Sequence, residues 1–173
     1  MKTLLILRNA RSRSKDLNLS DHDRPLDELG KDDALRMGKL IKYKDLVPDF
    51  IISSTALRAK TTAEIVAKAC EYKGDIVLDN SLYKAKPEDY LAILETLSDR
   101  HSSVLLVGHN PTIEETIQML TDYSSDDKIV MPSCALAHLS VPIKIWSELT
   151  NYKKQKNIRK AQLIRILIPQ GEV

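Results

Sequence analysis

Two unbroken apolar runs constrain this chain more than any other feature: Leu-Leu-Ile-Leu at 4–7 and Val-Leu-Leu-Val at 104–107. Neither alternates apolar with polar residues. A strand with one face in water shows that alternation, and a strand covered on both faces does not. TLLIL (3–7) therefore reads as a buried strand and SVLLVG (103–108) as the central one. DFII (49–52), after Pro48, and DIVL (75–78) read as two shorter strands. Helical spacing fills the gaps between them. Ala34, Met37, Gly38 and Ile41 share one helical face. Ala56, Ala59, Ala63, Val66, Ala67 and Cys70 share another, with Ser53, Ser54 and Thr55 as cap candidates. Pro87 suits the first turn of a helix carrying Leu91, Leu94 and Leu97. Asn110-Pro111 reads as a cap and first helical position ahead of Ile113, Thr116, Ile117 and Leu120.

Strand and helix in alternation specify a mostly parallel sheet with helices on both faces. The expected fold class is α/β, a three-layer α/β/α sandwich. The last third differs. CALAHLSV (134–141) and QLIRILI (162–168) read as strands with no convincing crossover helix between them, so they are expected to add antiparallel near the C-terminus. No repeat, low-complexity tract or linker divides the chain. Residues 1–173 are read as a single domain, long enough to bury a sizeable core.

Composition narrows the partners. With 43% hydrophobic and 29% charged residues, the chain reads as a soluble globule. A net charge of +2 gives no overall push toward nucleic acid or membrane. The apolar stretch Leu4–Leu7 is too short for a signal-peptide core, and no stretch approaches membrane-spanning length. Cys70 and Cys134 lack metal-type spacing and are expected to be reduced. These features point to a cytoplasmic protein with no nucleic-acid or membrane partner.

In open α/β sheets, ligands bind outside the carboxyl ends of the strands. Three strand ends carry reactive or charged residues: Arg8-Asn9, the Ser53–Thr55 turn leading to Arg58, and Gly108-His109-Asn110. Guanidinium groups offer paired planar donors to phosphate oxygens, and a helix N-terminus offers free N–H groups. A histidine donor stabilises charge on a transferring oxygen, and Gly108 is expected to allow a sharp turn. Taken singly, Arg8 reads as a solvated strand-end charge, Arg58 as a helix-start decoration and His109 as a satisfied turn histidine. Their shared position favours an anion site. His22 and His101 read as solvated loop residues, His138 as structural and Trp146 as a packing anchor. The basic run KKQKNIRK (153–160) has no interleaved aromatics and reads as a solvated hairpin tip rather than a nucleic-acid surface.

Five segments together resemble the histidine phosphatase superfamily, and within it the small SixA-like phosphohistidine phosphatases. They are LLILRNARS (4–12), DRPLDELG (23–30), ISSTALRAKTTAE (52–64), VLLVGHNPTIEE (104–115) and MPSCALAHL (131–139). The resemblance implies a phosphoglycerate-mutase-like three-layer fold. It also implies transfer of a phosphoryl group to a histidine and then to water, with no metal or organic cofactor. By position, Arg8 and Arg58 would bind phosphate, Arg24 would be a further phosphate-side arginine, and His109 would stabilise the transferring group. The backbone N–H of Asn110 would add a donor.

The departure is Asn9, which stands where the resemblance places the nucleophilic histidine. A carboxamide nitrogen has a delocalised lone pair and does not attack phosphorus as an imidazole does. The chain as written is therefore expected to be inactive or strongly impaired. Asn9 is either an engineered substitution or a natural one, the latter in a pseudo-enzyme that binds phosphorylated groups or in a chain that retains some other activity; the otherwise intact site favours recent or deliberate loss. The segment after the third strand, NSLYKAKPEDYLAIL (80–94), is short, and Glu88 and Asp89 read as first-turn helix residues rather than acid donors. A phosphorus–nitrogen bond depends less on an enzyme acid, which favours phosphohistidine on a protein, or another exposed phospho-substrate, over a sugar phosphate. The alternative is a non-catalytic module that binds a phosphorylated protein or a small phospho-substrate.

Overall fold

The computed structural model describes residues 1–14, 18–123, 128–154 and 159–172. Its order is β1 (Lys2–Arg8), α1 (Glu28–Tyr43), β2 (Phe50–Ser54), α2 (Leu57–Ala69), β3 (Ile76–Asp79), α3 (Pro87–Glu95), β4 (Ser103–Gly108), α4 (Thr112–Leu120), β5 (Leu136–Val141), α5 (Thr150–Lys154), β6 (Gln162–Ile168) and β7 (Gly171–Glu172). The seven strands form one sheet in the order β3-β2-β4-β1-β5-β6-β7. β1, β2, β3 and β4 are parallel, and β5, β6 and β7 join antiparallel. The mostly parallel α/β/α sandwich and its antiparallel C-terminal strands are as expected, and β7 is an addition that two residues could not signal.

The unbroken apolar runs sit where two covered faces require them. Leu4 and Ile6 point into one core with α3, α4 and Trp146, and Leu5 and Leu7 point into the other with α1 and α2. All four side chains are fully buried. Trp146 is fully buried too and anchors a short turn, Trp146–Leu149, against α3. The expected hairpin tip at 153–160 lies in part outside the described residues, which exclude 155–158. Cys70 and Cys134 are buried and unpaired.

Local capping differs from expectation at two helices. Ser53 and Ser54 finish β2, and the cap position of α2 falls on Ala56, which has no side-chain acceptor. Forgoing such a cap costs roughly 0.5–2 kcal/mol. At α4 the cap position is Pro111, and Asn110 turns its amide elsewhere. Both departures occur at strand ends that line the cleft described below. Leu97 falls beyond the end of α3, while Asp89 accepts from Lys86 N in the first turn of α3, as a helix-start residue should.

Candidate active site

β1 and β4 lie side by side in parallel, with Arg8 opposite Gly108. The chain leaving β1 packs α1 on one face of the sheet, and the chain leaving β4 packs α4 on the other. The divergence opens a crevice between the two strand ends. β5 runs antiparallel and begins beside Leu7, which brings the 131–135 connection to the same rim. The result is a cleft of about 320 Å3 lined by Arg8, Asn9, Arg24, Arg58, His109, Asn110 and neighbours including Ser133. All six site residues expected from the sequence meet here. A second cavity of about 350 Å3 continues beyond Arg58 and His109, past Tyr83, Lys84, Lys86 and Glu115. A larger cleft of about 600 Å3 near Thr121 and Lys160 holds none of the site residues.

Arg8 donates from Nη1 to the Met131 carbonyl at 2.7 Å. Asn110 donates from Nδ2 to the same carbonyl and to Glu114 Oε1, at 3.2 and 2.7 Å. Glu114 Oε1 also accepts from Met131 N at 2.7 Å. One carboxylate thus ties the start of α4 to the 131 connection, and that connection aims Arg8.

On the opposite wall, Asp21 is the hub. Its Oδ1 accepts from Arg24 Nε at 3.1 Å, and its Oδ2 accepts from Arg58 Nη2 at 3.2 Å and the Tyr83 hydroxyl at 2.8 Å. Arg58 Nη1 also donates to the Asp21 carbonyl at 2.7 Å. The Tyr83 hydrogen bond, with help from Arg58 and Arg24, pulls the Asp21 carboxyl down to about 2. Arg58 is largely buried in the first turn of α2, where a cation opposes the helix dipole. The Asp21 carboxylate offsets that misfit.

His109 lies between the walls. Its Nδ1 is 3.1 Å from Asn9 Oδ1, and its Nε2 is 2.8 Å from Ser54 Oγ. Its backbone N–H donates to the Tyr90 hydroxyl at 3.1 Å. Burial, reinforced by the Arg58 charge, pulls the imidazole down to about 4, so the ring is neutral at neutral pH. Asn9 donates from Nδ2 to the Ala10 carbonyl at 2.9 Å, and Ala10 N donates to Thr62 Oγ1 at 3.0 Å. The position of Asn9 is therefore fixed on both sides.

Three expectations need correction. Gly108 is not a turn glycine: a Cβ there would come within 2.2 Å of the Tyr90 hydroxyl, so the residue is small to admit that hydroxyl. His22 is not a free loop residue, since its Nε2 is 2.9 Å from Thr55 Oγ1 and its ring meets Tyr83 edge-on. His101 is not solvated either: it packs on Phe50 and faces Asp49 at 3.5 Å. His138 lies half-buried in β5, outside the cleft lining. The sequence reading missed Asp21, Tyr83, Tyr90 and Glu114, and read Ser54 only as a cap candidate. Only Glu114 had a local signal, as an acidic residue in a first helical turn close after His109.

The model of the histidine phosphatase superfamily (branch 1) matches residues 4–83, from β1 through Arg58 to Tyr83. A solved structure classed as the phosphohistidine phosphatase SixA of Agrobacterium tumefaciens superposes with a TM-score of 0.79 at 28% identity, covering 97% of this chain and 98% of that one. Residues 4–83 thus match the histidine phosphatase superfamily, and the whole chain shares the SixA fold. Its scaffold is that of a phosphatase, a hydrolase. The protein histidine phosphatase SixA complexed with tungstate has the same fold, with a TM-score of 0.79 at 18% identity over 97% of each chain. An uncharacterized chloroplastic protein of Arabidopsis thaliana is 27% identical over 160 residues, 85% of this chain and 70% of that protein. Among the described residues, no helix of this chain is long and apolar enough to cross a membrane.

Proposed function

We propose that this chain is a SixA-like phosphohistidine phosphatase scaffold whose nucleophile position is occupied by Asn9. One observation carries the reading: Asn9 lies at the junction of Arg8, Arg58 and His109, in a cleft whose other lining suits a phosphoryl group. Arg8, Arg24 and Arg58 supply guanidinium donors, and His109 supplies one ring proton. The Asn110 backbone N–H makes no hydrogen bond among the described residues and is free to donate. The tungstate bound by a SixA of the same fold is a phosphate-like anion of the kind such a cleft suits.

The geometry at residue 9 supports the reading of a silent site and suggests how activity would be restored. Asn9 Nδ2 sits where the near ring nitrogen of a histidine would sit, bonded to the Ala10 carbonyl. A histidine in that pose keeps the Ala10 bond and carries its second nitrogen further out, with a lone pair free to attack phosphorus. Asn9 has no atom there. Phosphoryl transfer then proceeds, if at all, by direct attack of water, helped by the cleft's charge alone. The second cavity, beside Arg58 and His109, has room for the group that carries the phosphoryl, a histidine of a phosphorylated protein.

Hydrolysis of a phosphohistidine protein by the chain and by Asn9→His, side by side, tests this. Loss of a catalytic nucleophile leaves on the order of 10³–10⁴ of rate over water, so the histidine variant should gain on the order of 10³-fold or more. It should also trap phosphate covalently. Equal turnover by both chains would overturn the nucleophile assignment. Anion binding by both with turnover by neither would instead assign the cleft to phospho-group binding.

A further inference from the structure

We propose that Ser54 is a positioning residue: it holds His109 as the tautomer protonated on Nδ1, so that the ring's one proton faces residue 9 and the place of the anion. The inference follows from accounting for every proton along one chain of contacts. The Asn9 amide is oriented by the Ala10 carbonyl, 2.9 Å from its side-chain nitrogen, because a carbonyl oxygen only accepts. The Asn9 Oδ1 is then the atom facing His109 Nδ1 at 3.1 Å. Oδ1 also only accepts, so Nδ1 carries the hydrogen.

A neutral imidazole has one N–H, which leaves Nε2 as an acceptor. Its partner at 2.8 Å is Ser54 Oγ. That oxygen accepts from Ala56 N at 3.3 Å, and its single proton is left for Nε2. Donors and acceptors alternate without a conflict from Ala56 through Ser54 and His109 to Asn9 and Ala10.

Ser54 is suited to the task. It is the last residue of β2, fully buried, with its backbone in register with Asp79 of β3. When an anion enters and takes the place of Asn9 Oδ1 beside Nδ1, the Ser54 contact is the one that remains. The groups acting on the ring do not replace it. Arg58, Asp21 and His22 act through their charges, Tyr83 meets the ring edge-on, and the Tyr90 hydroxyl from α3 accepts from the His109 backbone N–H. Burial keeps the ring neutral, so a choice of tautomer is required; Asn9 Oδ1 and Ser54 make it together, and Ser54 is the one that stays when an anion displaces Oδ1.

The tautomer is independent of phosphatase activity; only the use made of it rests on the function proposed above. Nitrogen-15 NMR of the imidazoles reads it directly, in a chain with 4 histidines, with His109 assigned by its loss in His109→Gln. The unmodified protein should show His109 protonated on Nδ1, and protonation on Nε2 overturns the proposal. Ser54→Ala should mix the tautomers and weaken orthovanadate binding about tenfold at neutral pH, the scale of one hydrogen bond of this kind. Ser54→Thr, which keeps the hydroxyl, should restore both. If Ser54→Ala melts earlier but keeps the Nδ1–H tautomer and its vanadate affinity, Ser54 is only a helix-start acceptor and the proposal fails. If Ser54→Ala does not fold, Ser54→Cys repeats the test with a weaker donor, and an unchanged tautomer population overturns the proposal. Failure of the unmodified protein to bind vanadate would count against the proposed function and leave the tautomer result standing.

Discussion

The two walls of the cleft hold their arginines by different means. Arg8 is held by the main-chain carbonyl of Met131, and the carboxylate in that network, Glu114, is engaged by Asn110 and the Met131 amide instead. Arg24 and Arg58 share the carboxylate of Asp21. A carbonyl orients a guanidinium without cancelling its charge, whereas a carboxylate orients it and offsets the charge as well. The Arg8 wall should therefore provide most of the attraction for an anion. The Asp21 wall should provide most of the shape.

Titration with orthovanadate or inorganic phosphate sharpens this contrast. Arg8→Ala should lose about 100-fold in anion affinity, the upper end for a charge-assisted hydrogen bond. Arg8→Lys should recover part of it, because it returns the charge without the planar fork. Arg24→Ala should lose only about threefold to tenfold, since its charge already faces Asp21. Equal losses at Arg8 and Arg24 would break the contrast between the walls. Asp21→Asn removes both an anchor and a negative charge, so affinity should move by no more than about threefold in either direction.

The pH responses of the two walls differ in the same way. Asp21 has its folded carboxyl lowered to about 2 from 3.8, so its stabilising contribution is present above pH 3.8 and is lost as pH falls toward 2. Acid unfolding of Asp21→Asn should lack that segment of slope. His109 is lowered to about 4 from 6.5, so it favours the folded state above pH 6.5 and that advantage is lost as pH falls toward 4. An anion beside the ring favours its protonated form. Vanadate binding by the unmodified protein should accordingly strengthen as pH falls through this window, and that dependence should vanish in His109→Gln.

The sequence made the fold legible because the parallel strands carry unbroken apolar runs that no exposed segment would tolerate. It made Arg8, Arg58 and His109 legible because a chemistry-bearing residue at a strand's carboxyl end has few structural uses. The residues that orient them were hidden. Asp21 meets Arg58 across 37 positions and Tyr83 across 62, and no local pattern marks such a meeting. Ser54 and Asn110 were visible but read only as caps, whereas Ser54 Oγ also meets His109 Nε2 and the Asn110 amide donates to Glu114 and the Met131 carbonyl. His22 and His101 looked solvated because their neighbours in sequence are polar, while their neighbours in space include aromatic rings.

The Met131 carbonyl has a consequence for any mutational survey of this protein. It receives both Arg8 and Asn110, yet it is a main-chain atom and survives every side-chain exchange at residue 131. A scan by alanine will therefore score this position by the buried thioether it removes and overlook the oxygen. The neighbour that governs the oxygen is Pro132, whose ring restricts the backbone of the residue before it. The aim of Arg8 is thus written into the chain one residue beyond the atom that aims it, at a proline outside the cleft lining.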